Sequence, residues 1–502
     1  MTVHHASTRR PFRLASLLPP LAERLAEGRP VITREQANAL TKQIMTMSSS
    51  TNVTVYIEHR VQRVTRLAHD AVQTTDNGDT LSIALITRVG DAVNGHVFET
   101  NQLDEPTLRA LVARADAIAR ESSPGVAEQL HVRTWNTQDA YRPVQLWHPS
   151  TVTAMHTAQE TAVPAILDTV RRAQLRASGF VGLVARASAV LTTDGVTAFH
   201  EETDSEIAVT ARPSDGTTSG WSGQAARDWS TIDPVRVATE AADIARRNQN
   251  PRALEPGRRT AILGPAAVVQ IMRFLALHFS ADQSTIGNTG FSKVPRQQKG
   301  ARFNQRVFDS RVHITSDPAD RDGGFVPWGG WDGMANPPMS WIEQGVLKNL
   351  AYSVTDAMYH GKSYAELPFG LRMDGGPMTV EQMIAQCEEG IYVHRLSSVD
   401  VVDMPSGMLT GATRDGCFFI KHGKIDRPVK NFRFLESPFF MLNNLMALGP
   451  TQRAAFGYAS PTERELDISG KWRSFFDWPR WPMIVPPMMV RDFNFSALID
   501  AV

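Results

Sequence analysis

The chain has 502 residues, and Lys plus Arg equal Asp plus Glu at 52 each. That neutrality excludes the broad basic footprint of a nucleic-acid binder and a polybasic membrane surface. Two cysteines in so long a chain exclude a disulfide framework and fit a reducing compartment. Pro19, Pro20 and Glu23 interrupt the N-terminal segment before any long apolar run, so no signal peptide is expected. Nowhere does the chain reach the roughly eighteen unbroken apolar residues of a membrane helix. A soluble cytoplasmic protein of more than one domain is the expectation.

In chain order, TREQANALTKQIMTMS (33–48) reads as a helix with a Thr/Glu capping box. TNVTVYIEHRVQRVTRLAHDAV and TLSIALITRVGDAVNGHVFETNQ alternate as strands, with a turn expected at Asn94-Gly95. DEPTLRALVARADAIARES is an amphipathic helix, and PSTVTAMHTAQETAVPAILDTVRRAQLRAS is helical. Successive strands follow through TARPSDG, turning at Thr193-Asp194-Gly195, and SDGTTSGWSG reads as a loop. DPVRVATEAADIARRNQNPRALEPG is a helix and then a linker, which puts a domain boundary near 250–257.

The second half opens with PAAVVQIMRFLALHFS, a helix with Pro265 in its first turn. Beyond about 300 the chain reads as strand and loop. Six of the ten tryptophans lie past residue 320, in Gly- and Pro-rich blocks such as FVPWGGWDGMANPP and FFDWPRWPMIVPPMM. Such blocks either bury rings over a sheet or wall a pocket, with Trp328 and Trp331 the candidates for substrate contact.

Several blocks, taken in order, resemble one family. They are RVGDAVNGHVFETNQLDEPTLRALVARADAIARES, TDSEIAVTARPSDGTTSGWSG, PRALEPGRRTAILGPAAV, WIEQGVLKNLAYS, LTGATRDGCFFIKHGKIDRPVKNFRFLESPFFMLNN and VRDFNFSALIDAV. Over nearly its whole length the chain is similar to the TldD/PmbA proteins. The resemblance implies an α+β fold. After an extension (1–30) would come an N-terminal α+β domain (31–250) and a β-rich, barrel-like C-terminal domain (258–502). It also implies a dimer enclosing a cavity, either a homodimer or a heterodimer with a TldD-like paralogue. The better-known members are two-subunit peptidases in which one subunit holds zinc through HExxxH and a late cysteine.

Zinc needs converging His, Cys or carboxylate ligands and a base for its water. Aligned on that motif, the helix here reads Arg273-Phe274-Leu-Ala-Leu-His278, and no cysteine follows residue 417. The first His, the Glu and the late Cys are all replaced, so no metal and no other cofactor is expected. His278 is either a satisfied core histidine or a remnant with a catalytic role.

Cys387 sits beside Glu388 and Glu389, which raise a thiol's pKa and mark it as structural. Cys417 is the alternative nucleophile, expected to start a strand after a turn at Arg414-Asp415-Gly416. Alternation puts Cys417, Phe419 and Lys421 on one face and His422 on the other, so His422 is not its base. His278, His313, His360 and His394 are the candidates elsewhere. The competing reading of Cys417 is a small half-buried thiol.

A thiolate suits acyl transfer, and a cavity that excludes water favours aminolysis over hydrolysis. The chain resembles the metal-free condensation enzymes of the family, which join a carrier-bound amino acid to an amino sugar in antibiotic biosynthesis. That reading makes Cys417 and His278 catalytic, makes Arg273, Arg414, Asp415, Trp328 and Trp331 substrate-binding, and makes a peptidyl carrier protein the partner. The alternatives are a non-catalytic partner subunit of a TldD-type peptidase and a scaffold without chemistry.

Overall fold

The computed structural model describes residues 18–50, 52–89, 92–99, 103–121, 141–329, 333–353, 356–357, 360–368, 370–457 and 482–499. Its first part runs α1 (Leu21–Ala26), α2 (Arg34–Met47), β1 (Asn52–Ala68), β2 (Ala71–Val89), β3 (Ala92–Glu99), α3 (Glu105–Glu121), α4 (Pro149–Arg172), β4 (Arg176–Thr192), β5 (Thr197–Arg212), β6 (Gly220–Ala226) and α5 (Pro234–Arg247). The strands form one antiparallel six-stranded sheet in the order β3-β2-β1-β4-β5-β6.

Side chains alternate across the sheet, and its two faces differ in chemistry. Val53, Val55, Ile57 and Val61 of β1 join Val181, Leu183, Ile207 and Val209 beneath the helices. Tyr56, Glu58, Arg60 and Gln62, one residue out of phase, point to the opposite face. This second face is polar, and the rest of the chain lies over it.

The second part begins with β7 (Gly257–Leu263), α6 (Pro265–Leu277) and α7 (Ala281–Thr285). Short strands follow: β8 (Ile314–Ser316), β9 (Trp328–Gly329), β10 (Met334–Ala335), β11 (Met339–Glu343), β12 (Val346–Leu347) and β13 (Leu371–Met373). The last set is β14 (Glu389–Asp403), β15 (Met408–Lys421), β16 (Lys424–Pro428), β17 (Phe432–Glu436), β18 (Leu445–Leu448), β19 (Gln452–Arg453), β20 (Ile484–Val485) and β21 (Met488–Leu498).

The hydrogen-bonded path β14-β7-β21-β17-β15 returns to β14, closing a barrel of five strands, with β16 and β18 attached at its rim. Helix α6 is apolar except for Gln270 and Arg273, and every residue from Ala266 to Ala276 is buried, as a helix with so little polar surface should be. It shares a core with Ile391, Val393, Phe432, Phe434, Phe493 and Phe495 of the barrel. The fold is α+β with a closed barrel in the C-terminal region, as the family resemblance implied.

Four local readings change. The capping box of α2 is present, but the residue answering Thr33 is Gln36, three positions on. Asn94-Gly95 lies inside β3. Gly220 to Gly223, read as loop, belong to β6. Arg414-Asp415-Gly416 is not a turn: β15 runs through it from Met408. Val393 pairs with Cys417 and Arg395 with Arg414, so β15 carries one extra residue there. That is a β-bulge, and bulges re-aim side chains.

Gly220 shows how tightly β6 is held. A Cβ there would sit 2.2 Å from the Ala245 nitrogen and 2.3 Å from the Ala241 oxygen of α5, atoms that cannot move without breaking the helix. Gly195 has φ +91° with nothing within 4 Å of a Cβ. Gly195→Ala should therefore cost about 1 kcal/mol of backbone strain. Gly220→Ala should cost several times as much, through displacement of α5. Paired urea melts check this; equal costs would show that β6 and α5 are not packed as described.

Candidate functional site

The polar face of the first sheet and the barrel meet in a buried seam. The bulge in β15 sets its centre. Asp415, at φ +55°, turns its carboxylate inward, where it is 1% exposed. It accepts hydrogen bonds from Ser219 Oγ at 2.6 Å and Arg395 Nη1 at 2.8 Å, with Arg414 Nε 3.9 Å away. Ser219 leads into β6 and Arg395 lies on β14, so one carboxylate ties the sheet to the barrel. The Arg395 guanidinium stacks 4.7 Å above the Trp221 ring. Gly416 has to be glycine-like here, at φ +131° with a Cβ position 3.0 Å from Ile244 and 3.2 Å from His394.

Along β5, alternation brings Glu202, Asp204 and Glu206 to the same face, and an arginine or a backbone amide meets each. Glu202 pairs with Arg227 at 3.1 Å and Arg186 at 3.2 Å, with His200 Nε2 at 3.7 Å. Arg453 of β19 holds both oxygens of Asp204, at 2.6 and 2.7 Å. The N–H of Gly457 donates to Glu206 at 2.7 Å. Arg227 also donates to the carbonyl of Gly324. Toward β1 the floor opens: Glu58, with Arg186 Nε at 3.9 Å, is 30% exposed, and Tyr56 donates to it at 3.0 Å.

The ionisation of this floor follows from its pairing. Burial by itself would raise the Glu202 carboxyl; Arg227 first, then His200 and Arg186, outweigh it and hold the group well below the usual carboxylate range. Arg186 is buried too, and Glu58 and Glu202 keep it firmly charged. A carboxylate so stabilised is a poor base near neutral pH. The arrangement can bind and orient polar substrate groups, and it has little capacity to take a proton.

The sequence-derived candidates divide. Asp415 and Arg414 meet at the seam. Arg273, on α6, is buried, donates to the carbonyl of Val399 at 3.3 Å and lies 4.7 Å over the Phe274 ring; one turn earlier Gln270 donates to Phe456 at 3.4 Å. Trp328 is core rather than pocket wall, 1% exposed against Val190 and Ala198, with Tyr141 at 5.0 Å and His200 at 6.0 Å. Trp331 and the block FFDWPRW lie outside the described residues.

His278 caps α6 inside the C-terminal core. Its Nδ1 accepts the N–H of Gly290 at 3.0 Å, and its ring stands edge-on to Phe439 at 5.0 Å. Among the described residues no three His, Cys, Asp or Glu side chains converge to hold an ion. With Nδ1 occupied and no second ligand beside it among the described residues, His278 does not fit the zinc of the peptidases the sequence resembles.

Cys417 faces the barrel core beside Val393 and Phe419, 1% exposed. Burial pushes its thiol up to about 12, against a small opposing effect of Thr413. That is the setting of an inert thiol. His394 lies on the other face of the sheet, bonded through Nδ1 to Tyr392 at 3.1 Å and tilted against Trp221. Cys387 caps its helix, with burial and then Glu388 and Glu389 raising its thiol.

Sequence reasoning missed Arg395, Glu202, Asp204, Glu206, Arg227 and Arg453. Only the acids left a readable signal: in HEETDSEIAV Glu202, Asp204 and Glu206 stand at every second position of a strand.

The fold defines an α+β protein in which the polar face of a six-stranded sheet meets a C-terminal region that contains a closed five-stranded barrel. Residues 256–497 match the profile described as the PmbA/TldA metallopeptidase C-terminal domain. Three solved structures share the fold over nearly the whole chain. A protein described as a putative modulator of DNA gyrase from Bacteroides thetaiotaomicron has TM-score 0.73 and 15% identity, covering 93% of this chain and 100% of its own. A second so described, from Thermotoga maritima, has TM-score 0.71 and 13% identity over 91% and 99%. TldE from Thermococcus kodakarensis has TM-score 0.72 and 12% identity over 91% and 99%. No curated protein sequence matches significantly. Residues 256–497 are thus similar to the PmbA/TldA C-terminal domain, and the chain as a whole shares the fold of these solved structures.

The buried histidines give a testable acid response. Burial pushes both His278 and His394 down to about 4, from 6.5. Between those values the unfolded chain binds protons that the folded chain refuses. Stability complete above pH 6.5 should therefore fall as pH drops toward 4, by up to about 1.4 kcal/mol per unit for each histidine. His278→Gln should flatten the slope in urea melts from pH 7.5 to 4.5. A slope unchanged by the substitution would contradict a neutral, buried His278.

Proposed function

We propose that the chain is a metal-free acyl-transfer enzyme that forms an amide between a carrier-bound amino acid and an amine, an amino sugar among the candidates, by positioning rather than covalent catalysis. The observation that carries this reading is on α6. Where the resembled peptidases have HExxxH, this helix has Arg273 and a His278 committed to Gly290. What remains at the seam is a floor of ion pairs beside an aromatic and guanidinium pair.

Such a floor suits two polar substrates. The side chains of Glu58 and Glu202 hydrogen-bond hydroxyl or ammonium groups of the acceptor, and Arg186 and Arg414 orient carbonyl or phosphate oxygens of the donor. A thioester is already activated toward amines. Aligning the two partners in a water-poor site supplies effective molarity without an acyl-enzyme. Aminolysis forms the C–N bond and breaks the C–S bond, the amine proton leaving with the thiol. Cys417 has no step in this scheme.

The test is reconstitution of the full chain with an aminoacyl carrier-protein thioester and an amine acceptor. Amide formation is expected without added metal. Cys417→Ala should keep the rate within about threefold, whereas Arg186→Gln should lose tenfold or more, mainly in KM for a binding role. A trapped acyl-enzyme and a dead Cys417→Ala variant would overturn positioning. Peptide hydrolysis appearing only with an HExxxH-bearing paralogue and zinc would overturn the enzyme reading in favour of a partner subunit.

A further inference from the structure

The helix-covered face of the first sheet holds a cavity that the seam does not use. It is a half-open groove of ≈ 200 Å³ between the β1/β2 hairpin and α4. Asn77, Arg63 and Leu183 form one cross-strand row of its floor, and Thr75, Thr65 and Val181 form the next. His156 and Gln159 of α4 close it from above, beside Ala158 and Met155.

The lining has an unusual balance. It contains a guanidinium, two threonine hydroxyls, two side-chain amides and an imidazole, and no carboxylate. The acid on the same face of β2, Asp79, is committed elsewhere, to Arg24 at 2.5 Å and His59 at 2.8 Å. Arg63 Nε is buried without a hydrogen-bond partner, and among the described residues its guanidinium makes no ion pair. Burial lowers its affinity for the proton, opposed by the more distant Asp79. A half-buried cation without a counter-ion is costly to fold around. A groove that surrounds such a cation with neutral donors has the chemistry of an anion cradle.

We propose that this groove binds a compact oxyanion, the phosphate or carboxylate group of a small metabolite. Arg63 supplies the charge, and Thr65, Thr75, Asn77 and Gln159 supply donors around it. The site lies on the opposite face of the sheet from the seam and does not rest on the acyl-transfer reading.

The test is calorimetric titration of the full-length chain with inorganic phosphate and, separately, acetate at matched ionic strength. One of the two should bind saturably at one site per chain; phosphate preference would identify a phosphoester ligand, and acetate preference a carboxylate. Arg63→Gln should weaken binding at least tenfold. Thr75→Val, exposed at the rim and harmless to the core, should weaken it severalfold, and it decides the matter if Arg63→Gln does not fold. Neither anion saturating below roughly 10 mM, a weak-binding limit, would overturn the proposal. Wild-type binding by both variants would overturn it too.

Discussion

The buried carboxylate of Asp415 is the constraint around which the seam is arranged. An ionised carboxylate in a protein interior costs several kcal/mol unless charge and hydrogen bonds compensate it. Asp415 obtains both from groups far apart in sequence, Ser219 before β6 and Arg395 on β14. Satisfying it therefore fixes how the barrel sits on the sheet. Other features follow. The extra residue in β15 aims the side chain inward. Glycine is needed at 416, and also at 457, where φ is +77° and a Cβ would lie 2.9 Å from Trp221 and 3.1 Å from Arg395.

The pairing that makes the seam stable also shapes its chemistry. Each β5 acid meets an arginine or an amide, from β4 (Arg186), from just after β6 (Arg227) or from β19 and the segment after it (Arg453, Gly457), so the interface is closed by compensated charge rather than by apolar contact alone. Glu202, held ionised in this way, is a good anchor and a poor proton acceptor. Acid–base work near neutral pH needs a carboxyl raised toward 6 or 7, the opposite of what Arg227 does to Glu202. Glu58, 30% exposed between Tyr56 and Arg186, is where this floor opens to solvent.

The fold was legible in the sequence to the extent that periodicity and punctuation are local. Asp233 before Pro234 starts α5, its side chain accepting the N–H groups of Val235 and Arg236, and Thr193-Asp194-Gly195 turns the chain between β4 and β5. The same logic failed where tertiary pairing overrode turn chemistry. Asn94-Gly95 is a strong hairpin signal, yet its residues pair with Ile86 and Thr87 inside a ladder. Arg414-Asp415-Gly416 looks like a turn because both αL-tolerant residues are there, but they build a bulge. The site was legible only in part. Asp415 and Arg414 stood out through their nearness to Cys417, a residue whose burial nothing in its neighbours announced. Arg395, Arg227 and Arg453 are ordinary arginines in sequence, and they become partners only when strands distant in the chain are brought together.

The central claim is that Asp415 and Arg395 act as one unit that joins sheet and barrel. A double-mutant cycle on folding stability tests it most directly, using Asp415→Leu, Arg395→Met and the combined variant. For a buried, hydrogen-bonded pair, removing either partner leaves the other's charge uncompensated, so each single change should cost about 3 kcal/mol or more. The double variant should then be no worse than either single one, giving a coupling of at least about 3 kcal/mol. Additive costs, with a coupling near zero, would show that the carboxylate and the guanidinium do not depend on each other, and would contradict the account of the seam.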